Sequence, residues 1–182
     1  FRRVLFRSSA EGQDFVLKAP GSTPQVISTH ALSNVLRGYS KLSDAIGDTY
    51  TSLGHTFYLL SFPEANSTLC YDHNTSLWHN RGTWISEDNQ FVDWRPRFHA
   101  FAYGQHRMLD AETGKIYHMD ESFGSDVDDR EIRRLRQPPP LFQENKRIFV
   151  TEFELDLEPG LGTSGQGEDP QVMMSISNDG GK

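Results

Sequence analysis

The sequence predicts a mainly β protein: propeller-like blades of short antiparallel strands, with one short helix near the N-terminus. Three observations carry this. Runs rich in Thr, Tyr, Phe and Leu follow one another at short spacing between residues 48 and 119. Gly-containing or Asx-type turn signals separate them. Finally, two stretches resemble each other, Leu69-Cys-Tyr-Asp-His-Asn-Thr-Ser-Leu-Trp-His79 and Arg107-Met-Leu-Asp-Ala-Glu-Thr-Gly-Lys-Ile-Tyr-His118. Each sets an Asp (Asp72, Asp110) three residues before a Thr (Thr75, Thr113), then an aliphatic residue, an aromatic one (Trp78, Tyr117) and a His. The step from Asp72 to Asp110, about 38 residues, is near the roughly 40–50-residue period of propeller blades. In each stretch an Asx-type turn is expected to join two strands, with the aromatic residue packing against a neighbouring blade.

The elements follow in order. Residues 1–8, Phe-Arg-Arg-Val-Leu-Phe-Arg-Ser, mix basic and apolar residues without the apolar length of a signal peptide. They resemble the translated end of a common sequencing-library adapter and are set aside from the fold, which removes Arg2, Arg3 and Arg7 from a formal charge of −7. Residues 9–23 are polar and punctuated by Gly and Pro, with a short strand signal at Phe15–Leu17. Ser28 or Thr29 can cap a helix that puts Ala31, Leu32, Val35 and Leu36 on one face and stops at Gly38. Residues 48–53 and 56–62 form a hairpin hinged at Gly54-His55, and 69–72 and 77–81 a second one around His73-Asn74-Thr75-Ser76. Residues 98–103, 107–110 and 115–119 continue the pattern, with turns at Gly104-Gln105 and Glu112-Thr113-Gly114.

Residues 120–136 carry six acids and four arginines and run into Pro138-Pro139-Pro140, a solvated connection with room for one helical turn. Alternation at 147–157 predicts a strand, closing a propeller-like region over 9–157. Residues 158–170 are a Gly-rich loop, and 171–182 open a further β-hairpin that the chain does not complete. A propeller uses 4–8 blades, and about 174 residues supply at most four, so an open edge is expected.

Composition removes several function classes. The acidic balance, 18 Lys+Arg against 25 Asp+Glu, opposes nonspecific wrapping of nucleic acid, which needs clustered cations. No apolar run of about 18 residues exists to cross a membrane as a helix. One cysteine, Cys70, excludes an internal disulfide framework and fits a reducing compartment. It sits between Leu69 and Tyr71 in a strand pattern, the setting of a small buried apolar group rather than a nucleophile. The histidines (30, 55, 73, 79, 99, 106, 118) show no i, i+4 helical pair and no thiol companion, so no metal site is expected. Asp126, Asp128 and Asp129 lack the Gly and terminal Glu of a calcium loop. No phosphate-binding or dinucleotide fingerprint is present; the glycines of 160–167 open no helix, and no cofactor is expected.

Ser177-Asn-Asp179-Gly-Gly181 matches the start of S-x-D-x-G-x-T-W, the Asp-box of sialidase-type propellers, where the Asp bonds turn amides and the Trp anchors the hairpin. An ordinary Asn-Asp-Gly-Gly hairpin turn is the plainer alternative. The Asp-box leaves open a sialidase-like glycoside hydrolase. Such an enzyme needs an arginine cluster for the substrate carboxylate, and Arg81, Arg95 and Arg97 are the mid-chain candidates.

Several strings in collinear order carry a family resemblance: Pro24-Gln-Val-Ile-Ser-Thr-His-Ala-Leu32, Gly54-His-Thr-Phe-Tyr-Leu-Leu-Ser-Phe-Pro63, Tyr71-Asp72 through Leu77-Trp78-His79, Lys146-Arg-Ile-Phe149, Phe153-Glu-Leu-Asp156, Gly165-Gln-Gly167, Asp169-Pro-Gln-Val172 and Ser177-Asn-Asp-Gly-Gly181. Over residues 9–182 the chain is similar to the phage packaged-DNA stabilisation proteins, tail accessory factors of short-tailed phages. The resemblance implies a β-propeller-based structural component, not an enzyme. It would attach beneath the portal, help close the channel and retain DNA. The partners implied are the portal and other tail proteins, with a homo-oligomeric ring in the assembled tail, no membrane and no sequence-specific nucleic-acid binding. The location implied is the virion tail, after synthesis in the bacterial host cytoplasm. A sialidase-like hydrolase and a bacterial or host propeller binding module are the alternatives.

Overall fold

The computed structural model describes residues 3–8, 14–19, 25–141, 146–156 and 172–177. Two compact units divide the chain, residues 1–121 and 122–182. The regular structure of the first unit is β, with a single helix among the described residues.

Strands β1 (Arg3–Ser8), β2 (Asp14–Ala19) and β3 (Gln25–Val26) pair antiparallel in that order. The octapeptide left out of the fold by its sequence thus contains a strand: Val4 and Phe6 are good strand formers, and Asp14–Ala19 supplies a ladder in register from Arg3↔Ala19 to Ser8↔Asp14.

Helix α1 (His30–Arg37) starts where Thr29 Oγ1 accepts the Leu32 N–H at 3.2 Å and ends at Gly38, whose N–H reaches the Val35 carbonyl. Leu32 and Leu36 are buried, while Val35 is 49% exposed. The apolar face is therefore narrower than predicted, because two turns of helix press only an i, i+4 pair onto the sheet.

That sheet is a meander of β4 (Ile46–Ser52), β5 (His55–Phe62), β6 (Ser67–Asp72) and β7 (Leu77–Arg81). Period-2 alternation splits its side chains between two cores. Tyr58, Leu60, Phe62, Leu69 and Tyr71 face α1, joined by Tyr39, Leu42 and Trp78. Tyr50, Leu59 and Cys70 pack with Met108, Trp94 and Met119 on the other side. With both faces covered, β5 and β6 are nearly continuously buried, the reason their sequence reads as apolar runs.

The second blade-like sheet orders β10 (Pro96–Ala102), β11 (Gln105–Asp110) and β12 (Ile116–Met119). Between the two lies a small hairpin of β8 (Thr83–Ile85) and β9 (Gln90–Val92), absent from the sequence reading. Its signal is the polar turn Glu87-Asp88-Asn89, with Asn89 at φ 51°. A bulge at Phe98 (φ 55°) shifts the β10–β11 register between Arg97 and His99. The β4–β5 and β10–β11 loops are both two-residue turns with positive φ at both positions, Leu53-Gly54 (45°, 78°) and Tyr103-Gly104 (55°, 72°).

In the second unit a 3-10 turn spans Val127–Asp129 and a bridge joins Ser125 to Glu131. Residues 146–156 form no strand, against the strand predicted at 147–157, and 172–177 form none either; the rest of the hairpin expected at 171–182 lies outside the described residues. Phe149, Val150, Phe153 and Leu155 are exposed, as are Val172, Met173, Met174 and Ile176. Alternation only chooses which side chains share a face. A strand forms when a neighbouring chain accepts its hydrogen bonds, and no described segment does so here.

Candidate functional site

Asp72 ends β6 and organises the turn after it. Its Oδ1 accepts the Asn74 N–H at 2.9 Å, and its Oδ2 accepts the Thr75 hydroxyl and His55 Nδ1–H, both at 2.8 Å. Burial opposes ionisation, but the donors from Asn74, Thr75 and His55 outweigh it and hold the carboxyl at about 2. Asn74 ties this turn to the β4–β5 turn: its Oδ1 accepts the Thr56 N–H at 3.1 Å and its Nδ2 donates to the Gly54 carbonyl at 2.8 Å.

Asp110 does the same at the end of β11. Its Oδ1 accepts the Glu112 and Thr113 N–H groups at 2.7 Å, and its Oδ2 takes Arg95 Nη2 at 2.8 Å and the Tyr117 hydroxyl. Burial again opposes the charge, yet Tyr117, the two amides and Arg95 hold the carboxyl well below the usual range. Tyr117 is correspondingly raised, by burial and then by Asp110.

The likeness of the two stretches stops at the turn. Thr75 bonds Asp72 through its side chain, Thr113 bonds Asp110 through its backbone. Trp78 packs at a tilt against its cross-strand neighbour Tyr71 (5.0 Å between ring centroids) and donates Nε1–H to the Ile27 carbonyl at 2.8 Å, stapling the segment before α1 to the sheet. Tyr117 turns its hydroxyl back to Asp110 within its own hairpin. The aromatic position therefore does different work in the two stretches: Trp78 ties its sheet to the segment before α1, and Tyr117 closes its own hairpin. Of the Asp-box residues, Ser177 lies in the exposed 172–177 segment, while Asp179 and Gly181 fall outside the described residues.

Besides the shared apolar cluster, polar contacts among the described residues join the blade-like sheets at two places. At one end Asp93 accepts from the Thr68 hydroxyl and from Arg97, while its N–H donates to Asn66 Oδ1 at 2.7 Å. Nearer the Leu53 and Tyr103 turns, Asp48 accepts the His99 N–H, and His99 Nε2 shares a hydrogen bond of 2.8 Å with His106 Nδ1. The Tyr50 ring lies 5.6 Å from His99 and 6.3 Å from His106. His99 is pushed down, first by burial and then by His106, with Asp48 opposing.

The three candidate arginines do not converge. Arg95 belongs to Asp110, with Glu112 at 3.7 Å, and Arg97 to Asp93. The Arg81 guanidinium sits over three rings, Trp94 at 5.1 Å, Phe57 at 5.2 Å and Tyr50 at 5.3 Å. None is left to form a substrate-carboxylate cluster with the others. Cys70 is fully buried, and burial first, then Asp72, pushes its thiol up to about 11 against the pull of Arg81. Among the described residues no group of three or more His, Cys, Asp or Glu is arranged to hold a metal ion, and no helix is long and apolar enough to cross a membrane.

The surviving features are structural: repeated Asp-centred hairpins, a four-stranded meander and polar joints between blades. The family described as Bacteriophage P22 Gp10, beta-propeller, matches residues 5–124, about two thirds of the chain. The chain belongs to that family. The match spans the twelve strands found among the described residues, except the start of β1, beginning within the octapeptide set aside on its sequence. A phage structural role comes with membership in this family of packaged-DNA stabilisation proteins. No curated protein matches the chain.

Proposed function

We propose that this protein is a virion component of the phage head–tail connection, helping to close the portal channel and retain packaged DNA. The supporting observation is the family match over the blade-forming region. The internal chemistry agrees with a rigid, non-catalytic scaffold: Arg81, Arg95 and Arg97 are each committed to separate packing or ion-pair partners. The partners proposed are the portal and other tail proteins, with several copies forming a ring in the tail, after synthesis in the host cytoplasm.

The test is a phage carrying a deletion of the gene, complemented by the full-length protein. Virions made without it should contain heads that package and then lose DNA, measured as nuclease-accessible genome, and complementation should restore retention. Virions that keep their DNA and build complete tails without the protein overturn the reading. Turnover of a fluorogenic sialoside by the purified full-length protein would instead favour the hydrolase.

A further inference from the structure

The two polar joints between the blade-like sheets are built from different chemistry. Asp93 is held by a hydroxyl (Thr68), a carboxamide (Asn66) and a guanidinium (Arg97), groups that keep their charge between about pH 5 and about pH 8. This joint sits at the start of β4, since Thr68 pairs across the sheet with Ser61, and Ser61 with Ile46. The other joint lies further along β4 and is built on two half-buried histidines. Asp48 accepts the His99 N–H there, and the Tyr50 ring packs against both His99 and His106.

His99 Nε2 lies 2.8 Å from His106 Nδ1, with the ring centroids 5.0 Å apart. Whichever ring donates, the other must offer a bare nitrogen. The bond therefore survives with no added proton or with one, whereas a second sets two N–H groups and two positive charges head to head. The carboxylate acting on His99 is Asp48 on β4, which favours a charged ring; burial first, then His106, outweighs it and holds His99 below the ordinary histidine range. The other ionisable groups bear on Tyr50: the Arg81 guanidinium of β7 over its ring, Cys70 on β6 and Glu121 after β12. Arg107 and His118 pair across β11 and β12 on the opposite face of that sheet from His106.

We infer that the His99–His106 pair is an acid-sensitive latch between the two sheets: one added proton leaves it shut, and a second opens the Asp48–Tyr50 end of the seam while the Asp93 joint keeps the sheets attached. The shut latch binds fewer protons than the open one. Its stabilisation is therefore complete above the ordinary histidine value of about 6.5 and is lost as the pH falls, the open form gaining up to about ten-fold per pH unit for each extra proton it takes up. The seam also supplies its own reporter. Cys70, the one cysteine of the chain, is fully buried there with Tyr50 and Met108, and it stands level with Asp48 across the sheet, through Leu59.

The test reads Cys70 in the full-length protein with a pyridyl disulfide, which attacks thiols in acid as well as at neutral pH, each rate being divided by that of the denatured chain at the same pH. Between about pH 7.5 and about pH 5 the wild-type ratio should rise at least about ten-fold, with the far-UV circular dichroism of the sheets unchanged. His106→Asn and His99→Gln each set an amide near the lost ring nitrogen, able to bond the remaining ring whether or not it is protonated, and each leaves a single titrating group. Both variants should protect Cys70 as the wild type does at neutral pH and hold their ratio within about two-fold across the range. A flat wild-type ratio overturns the latch. So does a rise that both variants share, which assigns the opening to other groups, or one that coincides with loss of the far-UV signal, which is unfolding of the whole chain.

Discussion

Replacing Asp110 with Ala should be the most damaging single change at either turn. The Asp110 side chain is fully buried and carries four bonds, to the Glu112 and Thr113 amides, Arg95 and Tyr117. Its removal leaves two turn amides unsatisfied and the Arg95 charge, 16% exposed, with only Glu112 at 3.7 Å. Breaking a buried ion pair from one side costs about 3–5 kcal/mol, and the residual Glu112 contact places this case near 3. That corresponds to a drop in Tm of roughly 10 °C for a protein of this size. The matching change Asp72→Ala strands His55, whose side chain is 44% exposed, so water substitutes for the lost partner and the cost falls to about 1–2 kcal/mol. Chemical denaturation of the full chain, wild type against each variant, measures both, and a double-mutant cycle with Arg95→Met isolates the ion pair. Equal losses for the two variants, or a loss under 1 kcal/mol for Asp110→Ala, would refute the argument from burial.

The other expectations are as follows. Both carboxyls titrate below their unfolded values, so their stabilisation is complete above about pH 4 and drains away as the pH falls; for Asp72 the loss runs from about pH 4 to about pH 2 and amounts to roughly 1–2 kcal/mol. A pH series of melts checks this, and Asp72→Asn should flatten that part of the profile. Arg81→Lys keeps the charge but loses planar stacking on Tyr50, Phe57 and Trp94, for an expected loss of about 1 kcal/mol by denaturant titration. Gly82→Ala should destabilise by about 2 kcal/mol, because its Cβ would sit 2.7 Å from the Val92 carbonyl oxygen, and a backbone neighbour cannot swing away; Gly54→Ala meets no neighbour and should cost about 1 kcal/mol through its positive φ alone. Cys70 should resist a thiol reagent in the native protein and react on unfolding, as its burial and raised thiol require.

What could be read in advance was local. The Thr29 cap, the Gly38 stop, the Gly54 and Gly104 turns and the Asp72 and Asp110 turns are all decided within about three residues, since the bonds that make them span that distance. The family strings likewise needed only order along the chain. The alternation at 147–157 misled because a pattern of faces does not by itself provide a hydrogen-bonding neighbour, and the β8–β9 hairpin escaped because three-residue strands leave too few positions to show a period.

The sequence by itself determined the β character of the chain, the places of its turns and its family, because each rests on side chains acting on backbone only a few bonds away. Only the tertiary structure decided that Trp78 staples Ile27, that Asp93 gathers Thr68, Asn66 and Arg97, and that Arg81 lies among three rings. Apart from Arg97, four positions from Asp93, and Trp94, thirteen from Arg81, those partners stand about 25–50 positions apart, and nothing in local propensity specifies which distant side chain will meet which; sheet register and blade packing do.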